Sequence, residues 1–421
     1  MNFKLLLTTG LIFTLLNASA QNSDVAYAIT GDGNNDFTWM NIRQVQLSTG
    51  KITNTIFERS KTNYSLTDVQ SKKTVDQSSV TDGNVFGSRD YPTSTFVAAA
   101  AYDARSNKLF FTPMRVGELR WLDLNAKKGA PSFYTLRSEV FAIGTATDEA
   151  NHITRMVIGA DGYGYAITND GNNFYRFTTG KKPVITNLGN LIDAAENNGV
   201  SVHNKCSSWG GDMVADAFGK LYVISANKNV FVIDIESRIA TFKGTITGLP
   251  GVYTTNGAAV SKDGFIIVTS ANYFEGYYRV KLDDLSAVKI PDSDNKYNAS
   301  DLANGNLLME KESALTKKFE LTAPNLRVAT YTSGEARVFP NPVTTSSFYV
   351  SLNDHKEGKY TIILSDVAGR TIQTKTINVA VNKGNHTQHV NIINRPAKGV
   401  YMVKVMNALS QVVITEKIVL E

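Results

Sequence analysis

Few residues in this 421-residue sequence are of the types that carry out catalysis. Two of the five histidines, His152 and His203, lie in the first 335 residues. A Ser-His-Asp site would need one of them, but no Gly-x-Ser-x-Gly elbow accompanies either. Cys206, the single cysteine, follows His203 by three residues. Catalytic Cys-His pairs are not usually built from such local neighbours, so chance proximity in a polar loop is the favoured interpretation.

One turn near the N-terminus carries oxygen ligands at the spacing used by a calcium loop. Asp32, Asn34 and Asp36 alternate as ligands of a hard cation do. Arg43 stands where the twelfth-position carboxylate should be, and the related turn at Asp170 lacks the third ligand. The sequence therefore favours a hairpin turn here, with calcium as the alternative, and predicts no other metal or cofactor.

Residues 24–321 contain internal repeats that predict β-strands. Residues 27–35 (YAITGDGNN) and 165–173 (YAITNDGNN) nearly copy each other, and in both an alternating strand enters an Asp-Gly or Asn-rich turn. Looser units begin near Ala98, Met213 and Ala258. Each unit has a small-residue strand, a tight turn, a β-branched or aromatic strand, and a third strand after another turn.

These units predict the blades of a β-propeller. Small residues suit innermost strands that crowd around an axis, and bulky strands fill the wider space further out. The units resemble the broad propeller superfamily whose strands follow a DG-x-LYV…V-x-V-I-D pattern. We predict an all-β chain with a propeller at residues 21–321, of six blades with seven as the alternative. The first unit lacks an inner strand, and residues 299–309 supply one, so the two ends are expected to close the ring in one blade. A pair of open β-sandwiches is the alternative fold.

The loops that precede the innermost strands are expected to line one mouth of the ring, where ligands usually dock. They carry aromatic rings beside hydrogen-bonding groups, which suits a glycan or a peptide. The alternative is that these loops are polar because they are exposed, and that Trp209 only packs. The candidate ligand-binding residues are Arg89, Tyr91, His152, Arg155, His203, Trp209, Asp212, Tyr253, Asn256 and Tyr297.

The last part of the chain predicts a second, smaller β domain. Residues 322–336 are polar and form a linker, and residues 337–421 contain alternating strands with short turns, as in a small β-sandwich. This domain contains three short motifs, and a Lys-Ile-Val segment lies near its end. The motif residues are Pro340, Asn341, Pro342, Asp366, Gly369, Arg370, Lys398, Gly399 and Tyr401.

In this order at the C-terminus, the motifs resemble the type A sorting domain of the type IX secretion system of Bacteroidota. The resemblance implies an immunoglobulin-like sandwich that engages the type IX machinery. It also implies export across the outer membrane, followed by release or by anchoring on the cell surface. An immunoglobulin-like module used for stability or adhesion is the alternative, because a fold alone does not specify a role.

The N-terminus predicts a signal peptide at residues 1–20. Lys4 precedes an apolar run, and Ala18-Ser19-Ala20 forms a small-residue cleavage pattern. No later segment is apolar for long enough to span a bilayer, so the mature chain is expected to lack a transmembrane segment. The expected location is extracellular or the outer-membrane surface, after cleavage and transit through the periplasm.

Charge argues against nucleic acid as a partner. The chain has a formal net charge of +5, and the segment from Arg337 onward carries ten Lys/Arg and five Asp/Glu, which accounts for this excess. The predicted propeller is therefore close to neutral and has no basic stripe of the kind that nucleic-acid binding requires.

The sequence favours binding over catalysis. We predict a secreted or cell-surface binding protein whose propeller recognises a carbohydrate or protein partner. The alternative is a lyase or hydrolase that acts on polysaccharide from the same scaffold. Carboxylates that converge in the channel would favour the enzyme, and an aromatic platform would favour binding.

Overall fold

The chain divides into two compact units, residues 1–322 and 323–421. A computed structural model of the chain describes residues 24–33, 35–78, 88, 90–125, 129–141, 148–291, 293, 297–315, 338–352, 357–366, 370–379, 387–393, 396–408 and 412–421. The predicted signal peptide and linker lie outside these residues, as do Asn34, Arg89 and Gly369. Within the described ranges, no helix is both long and apolar enough to cross a membrane.

The first unit begins with two blades. Their strands are β1 (Val25–Thr30), β2 (Asn41–Gln46), β3 (Lys51–Phe57), β4 (Ser65–Asp68), β5 (Lys73–Thr74), β6 (Val97–Asp103), β7 (Lys108–Pro113), β8 (Glu118–Asp123) and β9 (Ser132–Arg137). The second blade is β6-β7-β8-β9 from the inside outward, with β4 added parallel to β9 and β5 beyond it.

Three more blades follow in chain order. Their strands are β10 (Ile153–Ile158), β11 (Gly164–Thr168), β12 (Phe174–Phe177), β13 (Ile185–Gly189), β14 (Ile192–Asp193), β15 (Asp212–Ala215), β16 (Lys220–Ile224), β17 (Asn229–Asp234), β18 (Ile239–Thr245), β19 (Gly257–Val260), β20 (Ile266–Thr269), β21 (Tyr278–Val280) and β22 (Ala287–Lys289). One more strand, β23 (Ala299–Ala303), follows these blades in the chain. Helical pieces among the described residues include two 3-10 turns, Glu149–Asn151 and Ala195–Asn197, and the short helix α1 (Lys205–Ser208); residues 310–315 are also helical.

The inner strands close into a ring. Strands β23, β6, β10, β15 and β19 each neighbour the next, and β19 in turn packs against β23. Strand β23 also pairs with β1, so the first blade has the order β23-β1-β2-β3 and joins the two ends of the unit. The predicted all-β propeller and its closure in one blade are confirmed.

The described residues form five blades, and the predicted six is wrong. The predicted count added the joint between the two chain ends to five repeat units, one of which was the N-terminal unit itself. The register shows that the joint and this unit are one sheet, in which Ala28 lies opposite Leu302 and Ile29 opposite Asp301. The separate joint that raised the predicted count to six is the inner strand of the first blade.

Small side chains fill the axis of the ring. Ala100, Ala258 and Ala303, together with Met156 and Met213, line a channel of about 10 Å³, which has room for about one water molecule. Blades one and five approach closely at Gly257. A Cβ atom added there would lie 2.9 Å from the carbonyl carbon of Asp301. The axial channel is therefore packed by the protein itself.

The second unit is a two-sheet β-sandwich. Its strands are β24 (Val338–Phe339), β25 (Ser347–Ser351), β26 (Gly358–Asp366), β27 (Thr371–Val379), β28 (Thr387–Asn391), β29 (Gly399–Met406) and β30 (Val412–Leu420). The sheets have the orders β24-β25-β28 and β27-β26-β29-β30. Alternate residues such as Val403, Val405 and Ile418 fill the core of the sandwich, as expected for strands with one buried face.

Candidate ligand-binding site at the mouth of the propeller

Five of the predicted ligand-binding residues lie in the interior of the propeller. Their exposed fractions range from 0% to 6%. They are Tyr91, His152, Arg155, Asp212 and Tyr253. Each belongs to an inner strand or to the loop before one, so these residues are placed to hold the mouth loops in position.

Arg155 illustrates this supporting role. Its guanidinium is fully buried and donates hydrogen bonds to the carbonyls of Ser208, Gly210 (3.0 Å) and Thr168 (3.3 Å). Burial lowers the pKa of Arg155 to about 10, so the side chain stays charged at neutral pH. The side chain thereby fastens the loop before β15 to the third blade.

The second blade uses a buried arginine in the same way. Arg120 forms an ion pair with Glu118 (2.7 Å) and donates to the carbonyls of Tyr91 and Pro92. Tyr253 is similarly committed, since its hydroxyl donates to the Gly276 carbonyl at 2.9 Å. The loops at this mouth are thus held by buried polar side chains, which limits their motion.

Three other candidates are partly exposed, but their polar atoms have partners. The ring nitrogens of His203 face the carbonyls of Asp170 and Leu191. The Trp209 indole donates to the His203 carbonyl at 3.0 Å, and the Arg43 guanidinium covers the Tyr297 ring at 4.0 Å. Binding by these residues stays a prediction.

A group of four aromatic side chains lies at the mouth and was not predicted. Phe37 comes from the loop between β1 and β2, as does Trp39; Phe96 precedes β6, and Phe274 lies between β20 and β21. Their rings meet edge to face, with centroid distances of 6.5, 6.1 and 6.1 Å along Phe37–Trp39, Phe37–Phe274 and Trp39–Phe96. Phe37 is 46% exposed. We call these four residues the aromatic cluster.

Backbone hydrogen bonds hold the aromatic cluster in place. The Val97 amide donates to the Trp39 carbonyl at 2.9 Å, and the Met114 amide donates to the Phe96 carbonyl at 2.8 Å. Phe96 has a φ of 66°, a left-handed conformation that bulky residues seldom adopt. Such conformations persist where the surrounding structure enforces them, and they are concentrated at functional sites.

A group of uncharged polar residues borders the aromatic cluster. We call it the polar rim, and it consists of Thr254, Asn256, Ser270 and Asn272. Ala271 joins the two groups, because its carbonyl accepts from the Trp39 indole (3.3 Å) and its amide donates to the Asn256 oxygen (3.0 Å). Asn256 is the predicted residue that lies in this rim.

The polar rim is arranged to present amide donors. The side-chain oxygens of Asn256 and Asn272 both face the Thr254 hydroxyl, at 2.5 and 2.6 Å. No described residue accepts a hydrogen bond from either amide nitrogen. The two nitrogens are therefore the groups in the rim that can donate to a ligand.

The calcium-like turn is a hairpin in which the carboxylates have protein partners. Asp32 accepts from Asn41 (2.7 Å) and pairs with Arg59, and Asp36 accepts from Thr38. In the part of the chain that the structure describes, no three His, Cys, Asp or Glu side chains form a group that could hold a metal ion.

The first motif of the second unit fastens its first strand to its last. The Asn341 side chain donates to the Lys417 carbonyl (2.8 Å) and accepts from the Val419 amide (3.0 Å). Residues 337–421 match the family described as the secretion system C-terminal sorting domain. The second unit is a secretion sorting domain. It directs export of this protein to the cell surface or the medium by the type IX secretion system and interacts with that machinery.

The other motifs of the sorting domain stabilise turns. Asp366 accepts from the Arg370 amide at 2.9 Å and pairs with its guanidinium at 2.7 Å, across the β26–β27 turn. The third motif lies at the start of β29, where Lys398 and Gly399 precede Tyr401. The Tyr401 hydroxyl donates to the Ala397 carbonyl at 2.6 Å. These contacts give the motif residues a role in folding the domain.

Solved structures similar to this chain include several proteins of low sequence identity. One is PorZ, a surface component of the type IX secretion system of Porphyromonas gingivalis (13% identity, TM-score 0.32, 94% of this chain and 52% of PorZ). Another is the extracellular domain of a putative one-component system from B. thetaiotaomicron (9% identity, TM-score 0.32, 94% of this chain and 50% of that structure). A third is virginiamycin B lyase from Staphylococcus aureus (12% identity, TM-score 0.33, 94% of this chain and 96% of the lyase).

The chain spans about half the length of the first two of these structures. No curated protein matches the sequence. The propeller is therefore identified by its own strand order and the sorting domain by its family match.

Proposed function

We propose that this exported protein binds carbohydrate at the mouth of its propeller, through the aromatic cluster and the polar rim. The observation that carries the proposal is the junction at Ala271, which joins the Trp39 indole to the Asn256 amide. Aromatic rings with a few convergent hydrogen-bonding groups are the usual lining of a small-molecule site. Here both features lie beside an exposed phenylalanine, Phe37.

The chemistry of the site favours a sugar over a protein partner. A sugar ring offers C–H groups that pack on aromatic rings and hydroxyls that accept from amide nitrogens. Phe37 is exposed and the other three rings are half-buried, so the aromatic cluster offers the surface of a few rings rather than a broad hydrophobic patch. Protein interfaces instead require a larger area with buried anchors.

All eight side chains of the aromatic cluster and the polar rim are uncharged. A site for an acidic polysaccharide would be expected to supply Arg or Lys to pair with its carboxylates or sulfates. The ligand class that fits is therefore a neutral glycan.

The test is a glycan array and a polysaccharide binding screen on the mature chain, residues 21–421, with mass-spectrometric analysis of every bound ligand. We expect binding to neutral glycans that is lost in Trp39→Ala and retained in Trp209→Ala. Shortened or unsaturated products would instead support the polysaccharide lyase or hydrolase. Binding to proteins alone would support a protein partner and contradict the proposal.

A further inference from the structure

Two aspartates lie side by side on the axis of the propeller. Asp212 begins β15 in the fourth blade, and Asp301 is the central residue of β23 in the first. Their exposed fractions are 1% and 0%. Two ionised carboxylates in contact would be strongly unfavourable here, because buried charges need a partner of opposite sign or a proton.

Asp212 has the surroundings of an ionised acceptor. One of its oxygens accepts from the Met213 amide (2.7 Å), and the other accepts from the amides of Ala258 (2.6 Å) and Leu302 (3.4 Å). These donors belong to the inner strands of blades four, five and one. A single carboxylate thus joins three blades at the point where they meet.

Asp301 has the surroundings of a protonated acid. Neither of its buried oxygens has a donor at ordinary hydrogen-bond geometry among the described residues. Its carboxyl faces that of Asp212, and burial together with that charge raises the pKa of Asp301 well above its usual range, while the nearby Ala100 amide has a smaller opposite effect. An ionised carboxylate can only accept, so two facing carboxyls bond when one carries a proton.

We propose that Asp212 and Asp301 hold one proton between them at neutral pH, with Asp301 as donor and Asp212 as acceptor, and that this proton fastens the ring. The proposal is independent of what the mouth binds. The shared proton holds β23, the strand of the first blade that closes the propeller. Its loss would therefore destabilise the pairing between the two chain ends.

The charged groups on neighbouring strands have other partners. Strand β19 has no ionisable side chain, and β6 has Asp103, which pairs with Arg105 at 2.9 Å. Strand β10 has Arg155, whose guanidinium interacts with the Asp212 charge but donates to the loop carbonyls described above. Strand β16 has Lys220, which pairs with Asp234.

Two tyrosines complete the ionisable groups on these strands. Tyr102 of β6 donates to Asn107 at 2.8 Å and neighbours Tyr27 of β1, and Tyr222 of β16 donates to Asp216 at 3.1 Å. No cation on these elements pairs with Asp301, which leaves a proton as the means of neutralising it.

A divalent cation fits this place less well than a proton. Calcium takes six to eight oxygen ligands and magnesium six, usually including several waters. The groups that surround Asp212 are N–H donors, and the adjacent channel has a free volume of about 10 Å³. A cation is the competing occupant that the test must separate from a proton.

The sign of the pH effect follows from the raised pKa of Asp301. In the unfolded chain this carboxyl loses its proton near pH 4, whereas in the fold it keeps the proton to a higher pH. Between these two values the folded state holds one more proton, so the folding equilibrium constant falls by up to about tenfold per pH unit as pH rises.

The experiment compares urea unfolding of the mature chain and Asp301→Asn from pH 4 to pH 9, followed by tryptophan fluorescence. All three tryptophans, Trp39, Trp121 and Trp209, belong to the propeller and report on it alone. The side-chain amide introduced by this substitution can donate to Asp212 without titrating. We expect the ratio of the folding equilibrium constant of Asp301→Asn to that of the wild type to rise with pH, by up to about tenfold per pH unit.

Two results would overturn the proposal. Parallel pH curves for the two chains, including a loss of stability in the variant that does not change with pH, would show that Asp301 does not keep a proton and acts only in packing. A wild-type transition lowered by EDTA and restored by calcium or magnesium would replace the proton by a cation. If the variant does not fold, release of a proton when the wild type unfolds at pH 6 is the expected result, and no release contradicts it.

Discussion

Phe37 is the most exposed ring of the aromatic cluster, whereas Trp39 is held on both sides. The Trp39 carbonyl accepts from Val97, and its indole donates to Ala271. Phe37 has contacts with the Trp39 and Phe274 rings and is free to cover a ligand. Trp39 is therefore a positioning residue of the aromatic cluster, and Phe37 is the residue that offers its surface to a ligand.

Replacing Phe37 by alanine should weaken glycan binding by about tenfold, in the range of aromatic contacts at binding sites. Phe218→Ala is the matched control, because Phe218 is 52% exposed and lies in the turn between β15 and β16, away from the mouth loops. Isothermal titration with the strongest glycan ligand measures both. Equal losses in the two variants would contradict a role for the mouth.

Only part of the proposed site could be located from the sequence. It pointed to the loops before the inner strands, and Phe96 and Asn256 do lie there, but Phe37, Trp39 and Phe274 belong to the loops between second and third strands. A sequence does not reveal that Arg155 turns inward or that Phe96 takes a positive φ, because both depend on contacts from another blade.

At the scale of the element, Arg155 is a polar link between two blades. Arg155→Leu would remove the donor to the carbonyls of Ser208 and Gly210, and each unpaired buried group costs about 1–3 kcal/mol. We expect a loss of about 3 kcal/mol in the free energy of unfolding. Arg279→Leu is the control, since Arg279 is exposed and stacks on Phe265; its loss should stay below about 1 kcal/mol. Urea unfolding measures both, and similar losses would contradict the prediction.

Gly257 tests the contact between blades one and five. Gly257→Ala would place a methyl group 2.9 Å from the Asp301 backbone, so β19 and β23 would have to separate. Overpacking of this kind costs about 1–3 kcal/mol. Gly180→Ala is the control because a Cβ there meets nothing within 4 Å. A thermal shift confined to Gly257→Ala is expected, and equal shifts would contradict the close contact.

At the scale of the whole molecule, the sequence predicted the order of the units but not the size of the ring. Three features could be predicted because each is a local pattern. They are the repeats at residues 27 and 165, the small-residue inner strands and the C-terminal motifs. The sequence also predicted that the two chain ends close one blade, a contact between residues about 270 positions apart, because each end lacks the strands that the other supplies. The predicted number of blades was one too high because this joint was counted in addition to the N-terminal unit of the same blade.

The division into two compact units predicts that export and propeller folding can be separated. A chain that ends at residue 336 should keep the tryptophan fluorescence and unfolding midpoint of the propeller, because the sorting domain contains no tryptophan and has its own core. In the native host it should accumulate in the periplasm, since the sorting domain is what the secretion machinery engages.

A point variant sharpens this test. Asn341→Ala removes two of the hydrogen bonds that join the segment after β24 to β30, so it should lower export while leaving the propeller unchanged. Ser346→Ala, five residues further along the same segment, is the matched control because Ser346 is exposed. Fractionation of the host into periplasm, surface and medium gives the measurement. Normal export of Asn341→Ala would mean that the machinery recognises the domain without the contact that fastens its first strand to its last.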